Sequence, residues 1–285
     1  MLKKTLVKLG VTLGVAGSFC LGANLIKPPA AIALTEPEVL SRLTSVPIFT
    51  LVDNQGTPVL GTDPADKSKQ PILLFFLNQQ DAQAALASYR KAQPEKGKEA
   101  QVLLLSLKDA LETFKKIKGD NKILYSIEPS PAQLQSAIEI LKTDGEVVAK
   151  DGKLVTKEGQ PFEGGVPLFY GVSVAKDGKS QFITSTQEIT EKGKKKEVTF
   201  VPVYFSRQDL QRDIDAAKSA APDTNIKVKV TMFNNFLAYL YGAKTSAEVP
   251  FQLIPSEEAA QFANTLLQQA AQKASPGATP KPAPK

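Results

Sequence analysis

The sequence predicts an α/β (α+β) fold built as two tandem, pseudo-symmetric copies of one strand–helix unit, with mixed sheets covered by helices. Two observations carry this. Four motifs recur in the same order at nearly constant spacing, and within each copy short apolar runs alternate with segments of helical periodicity. Val46-Pro47-Ile48-Phe49 returns as Val166-Pro167-Leu168-Phe169, and Phe76-Leu77-Asn78-Gln79-Gln80-Asp81 as Tyr204-Phe205-Ser206-Arg207-Gln208-Asp209. Leu105-Ser106-Leu107 returns as Val230-Thr231-Met232, and Tyr125 to Ser130 as Phe251 to Ser256. The separations are 120, 128, 125 and 126 residues, so the drift is confined to loops. One such pair is within reach of chance; four in register point to duplication.

Each copy opens with a strand after Val-Pro and a Gly-bearing turn, Asp53-Asn54-Gln55-Gly56 or Lys176-Asp177-Gly178, both hairpin signals. An apolar run follows, Ile72 to Leu77 or Val198 to Phe205, as a buried strand reads. Helices start near Gln79 and Arg207, where Ala84, Leu86 and Ala87, or Leu210, Ile214 and Ala217, fall at helical spacing. Then come a strand (Val102 to Leu105; Ile226 to Val230), a helix (Leu107 to Ile117; Phe233 to Tyr241) and a strand (Ile123 to Ile127; Phe251 to Ile254). The last helix of each unit starts at Ser130 or Ser256 as N-cap, with Pro131 or Glu257-Glu258 behind it. Ahead of the first copy, Thr35 and Glu38 have capping-box spacing.

The resulting organisation is a cleaved signal peptide over 1–33, an N-terminal helix within 34–45 and a first repeat over 46–142. A connecting hairpin or loop over 143–165, a second repeat over 166–273 and a disordered tail over 274–285 follow. The signal is read from Lys3, Lys4 and Lys8, the apolar run Val11 to Leu21, and the small-x-small Ala31-Ile32-Ala33. That run is short for a bilayer span, which argues against a permanent helical anchor. Cys20 ends the run, but Phe19 before it is not the small residue a lipoprotein site wants. The tail is Ser, Pro, Ala and Lys, a composition that does not pack.

Cleavage after Ala33 removes four lysines and no acid, so the formal charge of +6 falls to +2, 31 basic residues against 29 acidic. Basic and aromatic residues do not interleave, which leaves nucleic-acid binding without support. The chain has no His, and its one Cys leaves with the signal, so the mature protein has no disulfide, imidazole or Cys/His zinc site. Export without disulfides fits a bacterial periplasm or a similar lumen.

Catalytic motifs are fragmentary. Gly178-Lys179-Ser180 ends like a phosphate loop, but it sits in a hairpin and Ser173 stands where the required Gly would be. Gly171-Val172-Ser173 resembles a nucleophile elbow without any His to serve it. Ser173 to Lys176 matches Ser-x-x-Lys on a strand instead of a helix. Asp81 and Asp209 occupy matching places just inside helix starts, where the helix dipole accounts for them. No Asp-x-Asn-x-Asp calcium loop is present. No catalytic residue, metal ligand or cofactor is therefore assigned.

What the duplication puts forward is apolar. Most of the matched aromatics must be core, yet strand-plus-helix faces can stay open as grooves for apolar segments of a partner. The candidate client-binding residues, lining hydrophobic pockets, are Phe49, Phe76, Phe114, Phe169, Tyr204, Phe236 and Tyr239. The helix Phe233 to Tyr241 is the most apolar of the chain and carries apolar residues on more than one side.

The Val-Pro-x-Phe strand openings, Phe76-Leu77-Asn78-Gln79-Gln80-Asp81-Ala82, and Leu103-Leu104-Leu105-Ser106-Leu107-Lys108-Asp109-Ala110 resemble one known family. It is the intermembrane-space subunit of the chloroplast inner-envelope translocon, with its cyanobacterial relatives. The resemblance covers about Thr35 to Leu267. It implies two pseudo-symmetric halves, hydrophobic surface pockets, no enzymatic activity and a chaperone-like role in protein transport. It further implies residence in a periplasm or thylakoid lumen, with outer-membrane barrel precursors and their assembly machinery as clients and partners.

Three function classes follow. A cofactor-free chaperone predicts open apolar grooves. A carboxylate- or Ser/Lys-dependent hydrolase acting on cell-wall material predicts a polar cleft with strongly shifted pKa values. A structural adaptor of a membrane complex predicts one large apolar patch, not two related ones.

Overall fold

The computed structural model describes residues 35–62, 70–118, 123–175, 178–191, 194–222, 224–242 and 250–274. The expected signal segment and all but the first residue of the expected tail lie outside the described residues.

The chain begins with α1 (Glu36–Arg42), closed by the expected capping box, in which Thr35 N donates to Glu38 Oε2 at 2.7 Å. The first sheet contains β1 (Pro47–Val52), β2 (Leu60–Thr62), β3 (Pro71–Phe76), β4 (Gln101–Ser106) and β5 (Leu124–Glu128). Its helices are α2 (Gln79–Ala92), the single turn α3 (Pro94–Gly97), α4 (Leu107–Lys118) and α5 (Pro131–Thr143). A two-stranded hairpin, β6 (Val147–Lys150) and β7 (Lys153–Thr156), links the halves. The second sheet holds β8 (Pro167–Val174), β9 (Ser180–Phe182), β10 (Ser185–Glu191), β11 (Lys194–Tyr204), β12 (Ile226–Met232) and β13 (Phe251–Ile254). Its helices are α6 (Arg207–Ala220), α7 (Phe233–Gly242) and α8 (Glu257–Ala274).

Both sheets are mixed, as the sequence predicts, and the pairings can be set side by side. β1 pairs antiparallel with β3 and β4, and β3 pairs parallel with β5. β8 pairs antiparallel with β11 and β12, and β11 pairs parallel with β13. Phe49 lies opposite Phe76 in one sheet, and Phe169 opposite Tyr204 in the other. Leu107 N donates to Val46 O and Phe233 N to Val166 O, each at 2.8 Å, so α4 and α7 begin against the same carbonyl position. The turns leaving β1 and β8 close alike: Gly56 N donates to Asp53 O at 3.1 Å and Gly178 N to Ala175 O at 2.9 Å. Both glycines have φ of 82°, a left-handed backbone that favours glycine. Lys176 and Asp177, expected in the second turn, lie outside the described residues.

One apolar cluster joins the halves. Ile48, Leu73 and Phe75 of the first sheet share it with Leu168, Val201, Val203 and Leu253 of the second. On β1 and β3 the alternate residues point the other way, since successive side chains leave a strand on opposite faces. Phe49 and Phe76 pack there with Ala82 of α2 and with Ala259 and Phe262 of α8. In the second sheet Phe169 and Tyr204 pack with Leu210 and Ile214 of α6 and with Ala137 and Ile140 of α5. α5, which follows the first sheet along the chain, thus covers the second sheet, and α8, which follows the second, covers the first. Strands buried on both faces explain why β1 is apolar almost without interruption.

The β10–β11 ribbon is the element the sequence does not announce. Its cross-strand pairs run from Ser185 opposite Phe200 to Glu191 opposite Lys194, and its outer part is exposed and charged. With no apolar face to bury there, the usual alternation is lacking. Among the described residues, no helix is long and apolar enough to cross a membrane.

Candidate functional site

Six of the seven candidate aromatics are packed inside. Phe49 and Phe169 are fully enclosed, and Phe76, Tyr204, Phe114 and Phe236 are buried. The reason is topological: Phe49, Phe76, Phe169 and Tyr204 sit on inner strands whose outer faces α2, α5, α6 and α8 cover. The Tyr204 hydroxyl donates to Asp213 Oδ2 at 2.6 Å, and burial, followed by that bond, pushes its phenol well above the ordinary range. Tyr239 is the exception, at 44% exposed.

The open aromatic surface is organised around Phe251, the first residue of β13. Its ring meets Phe182 at 5.4 Å, Phe236 at 5.7 Å and Tyr239 at 5.8 Å between centroids, all edge to face. Phe182 also touches Tyr170 at 5.6 Å. Phe182 is 48% exposed, on the short strand β9, whose three residues are all exposed. Tyr170, Phe182, Phe251 and Tyr239 therefore form a row running from β8 over the start of β13 to α7, with Phe236 beneath as its anchor. The first half carries a smaller counterpart, in which Phe114 of α4 meets Tyr125 of β5 at 4.5 Å. Leu124 and Tyr125 stand open there on a strand that, among the described residues, pairs with β3 alone. Rings held edge to face by neighbours lose little freedom when another chain lies on them, so such a surface takes apolar segments at low entropic cost.

Two concavities are present, and the larger adjoins the aromatic row. One, of about 640 Å³, is lined by Tyr170, Val172, Phe182, Phe162 and Met232 and by the ion pair Lys229–Asp144 (2.9 Å). Burial raises the Tyr170 phenol there, so the hydroxyl stays neutral. The other, of about 310 Å³, lies where α2, α5, α6 and α8 begin, between Val46, Pro47, Pro167, Phe205 and Pro255. Three of its polar side chains are engaged at helix starts. Asn78 Oδ1 accepts from Asp81 N at 2.7 Å, Gln133 Oε1 from Arg207 N at 2.9 Å, and Ser206 Oγ from Asp209 N at 3.2 Å.

The polar motifs are placed as structural elements. Asp81 accepts from Asn78 at 2.6 Å within its own helix start, and Asp209 accepts from the amide of Glu257 in α8 at 2.9 Å. Ser173 lies on β8 opposite Ile226, and Gly178 to Ser180 lead from the turn into β9. Ser256 caps α8 through Ala259 N, whereas Ser130 makes no side-chain cap to α5. Among the described residues no three Asp, Glu, Cys or His side chains gather as metal ligands would.

The sequence reading passed over Tyr125, Tyr170, Phe182 and Phe251. Two of them carried a signal. Tyr125 and Phe251 hold matching positions in the fourth recurring motif, at the second residue of β5 and the first of β13.

Comparison with known proteins places this surface in context. The family model described as the Tic22-like family matches residues 21–265. The chloroplastic protein TIC 22 of Pisum sativum is 26% identical over 219 residues, covering 77% of this chain and 71% of its own. The chloroplastic protein TIC 22 of Arabidopsis thaliana is 28% identical over 176 residues, 62% of this chain and about half (52%) of its own. A solved structure of Tic22 from Anabaena, described as protein transport, matches with TM-score 0.58 at 22% identity, covering 88% of this chain and 100% of that one. Tic22 from Plasmodium falciparum matches with TM-score 0.56 at 19% identity, covering 81% and 98%. At these identities the two structures establish a shared mixed α+β fold.

Proposed function

This chain belongs to the Tic22-like family, and from that premise we propose that it acts in protein transport by holding apolar segments of client polypeptides. The observation that carries the reading is the aromatic row in which Phe182 and Tyr239 are exposed and Tyr170 and Phe251 half-buried, with the smaller Phe114–Tyr125 surface on the other half. Monomeric proteins rarely leave several rings of one cluster open to water without a use. Binding is weak and chemically undemanding, because rings and aliphatic side chains discriminate little between apolar partners.

The clients are outer-membrane barrel precursors and their assembly machinery, and the compartment is the periplasm or thylakoid lumen. A chain whose form cleaved after Ala33 holds no Cys and carries a formal charge of +2 supports that placement. Alternating apolar side chains of an extended barrel strand match a row of rings on one surface. The tandem duplication read from the sequence belongs to the same proposal: two related surfaces hold two segments of one client, raising the effective concentration of the second.

No catalytic step and no cofactor are part of this reading. Asp81 and Asp209 are spent on helix starts, the Glu257 carboxylate is paired with Arg212, and the most strongly shifted phenol, Tyr204, is enclosed in the core. An adaptor reading asks for one dominant patch; the open Leu124–Tyr125 surface is the observation against it.

The test is a pull-down from a periplasmic extract with crosslinked protein and identification of partners by mass spectrometry. Barrel precursors or assembly factors are expected, and their recovery should fall with Tyr239→Ser and Phe182→Ser. Recovery of cell-wall fragments without protein partners would point to a hydrolase instead.

A further inference from the structure

The segment that opens the described chain has no counterpart in the second half. α4 and α7 hold matching places in the two sheets, each beginning with an amide bonded to the carbonyl of Val46 or Val166. α1 is attached to both. Its Glu36 pairs with Lys115 of α4, and the helix packs against α7. Glu36, chiefly by its hydrogen bond, raises the Lys115 ammonium above its ordinary value. Val39 and Leu43, four residues apart and so on one face, are fully buried, and Leu40 nearly so. They share a cluster with Phe114 of α4 and with Phe236 and Leu240 of α7. The opposite face, Glu36, Glu38 and Ser41, is exposed. α1 is thus a two-turn amphipathic helix seated in an apolar groove flanked by α4 and α7. Ahead of β8, the matching stretch is instead the β6–β7 hairpin and the loop after it.

We propose that this groove is a receptor for an amphipathic helix of a client polypeptide, and that α1 occupies it as an internal stand-in. The occupant itself states the chemistry the groove accepts. It wants aliphatic side chains at i and i+4, an acidic group in the first turn facing Lys115, and a cation in the last turn. The last of these is supplied by Arg42, whose guanidinium donates to the carbonyl of Phe251 at 3.1 Å and is partly desolvated there. That bond ties the groove to the aromatic row, because it ends on the backbone of Phe251, whose ring the row is built around. A client helix that displaces α1 also releases the Phe251 carbonyl on the open edge of β13, where an adjoining extended segment can pair. The proposal rests on the client-binding reading but names a second mode, helix in groove, on a different surface.

The experiment offers a fluorescein-labelled peptide of residues 34–45 in trans to the full chain carrying Cys20→Ser. Glu36→Gln weakens the internal helix without touching the core, and peptide affinity should rise by about two- to fivefold. Leu40→Ala should raise it further. In a Glu36→Cys/Lys115→Cys chain joined by a short bis-maleimide linker, α1 cannot leave, and affinity should fall by about tenfold or more. Equal affinity in locked and unlocked protein overturns the proposal. So does absence of binding to both Glu36→Gln and Leu40→Ala when their circular dichroism is native. Protection of an unfolded barrel precursor, read on the same proteins, separates the two claims. Protection that persists in every variant while no peptide binds overturns the groove and leaves the client-binding reading intact.

Discussion

The main-chain amide of Glu257, the first residue of α8, donates to the carboxylate of Asp209 in α6 at 2.9 Å. The helix start is held in the second half, yet Ala259 and Phe262 of the same helix lie on Phe49 and Phe76 of the first sheet. The Phe49 and Phe262 rings are 5.8 Å apart. In the reverse sense, Gln133 of α5 accepts from Arg207 N of α6, and Ala137 of α5 is buried on the second sheet. Each half is closed by a helix that belongs to the other.

Neither half should therefore fold alone. Residues 34–142 and 166–273 expressed separately should each give poorly dispersed amide spectra, because each lacks the helix that covers its sheet, and mixing them should restore dispersion. A fully folded isolated half would refute the exchange.

Core and surface aromatics should respond oppositely to truncation. Phe49→Ala and Phe169→Ala, both at 0% exposure, should cost about 3–5 kcal/mol in urea unfolding. Tyr239→Ala, at 44% exposure, should cost less than about 1 kcal/mol, since nearly half of the side chain already faces water.

Glycine tolerance should follow what an added methyl meets. At Gly97 a Cβ would stand 2.6 Å from Arg90 Cα, a backbone atom that cannot turn aside, so Gly97→Ala should destabilise by about 1–3 kcal/mol. At Gly171 the same 2.6 Å separates it from Ile183 Cδ1, the end of a side chain that can change rotamer. Gly171→Ala should cost clearly less in the same melts.

Tyr204 sets an alkaline limit. Its folded pKa is raised, chiefly by burial, so the folded state keeps a proton that the unfolded state loses above about pH 10. Its contribution is full below that value and is lost as pH rises through it toward the folded value. Wild-type stability should fall more steeply above pH 10 than that of Tyr204→Phe, whose curve lacks this titration. Parallel curves in urea melts from pH 7 to 11 would contradict the assignment.

Much of the fold was legible because its rules are local. The capping box at Thr35, the glycine turns at Gly56 and Gly178, and the apolar runs of β1 and β3 each follow from a few neighbouring residues. The exchange of α5 and α8 was not, since Ala137 and Ala259 are small apolar residues that fit either sheet. The surface was hidden for a related reason. Phe49 and Phe251 are equally apolar in sequence; only the covering of β1 by α2 and α8, and the position of β13 beside β11, makes one fully enclosed and the other half-buried.

The most direct measurement of the central claim is suppression of aggregation of a urea-unfolded outer-membrane barrel precursor on dilution into wild-type protein and into Tyr239→Ser/Phe182→Ser. Wild type should keep the precursor soluble near equimolar ratio, and the variant should need about five- to tenfold more protein with its melting temperature unchanged. Equal protection by both proteins, or none by wild type, would contradict the account.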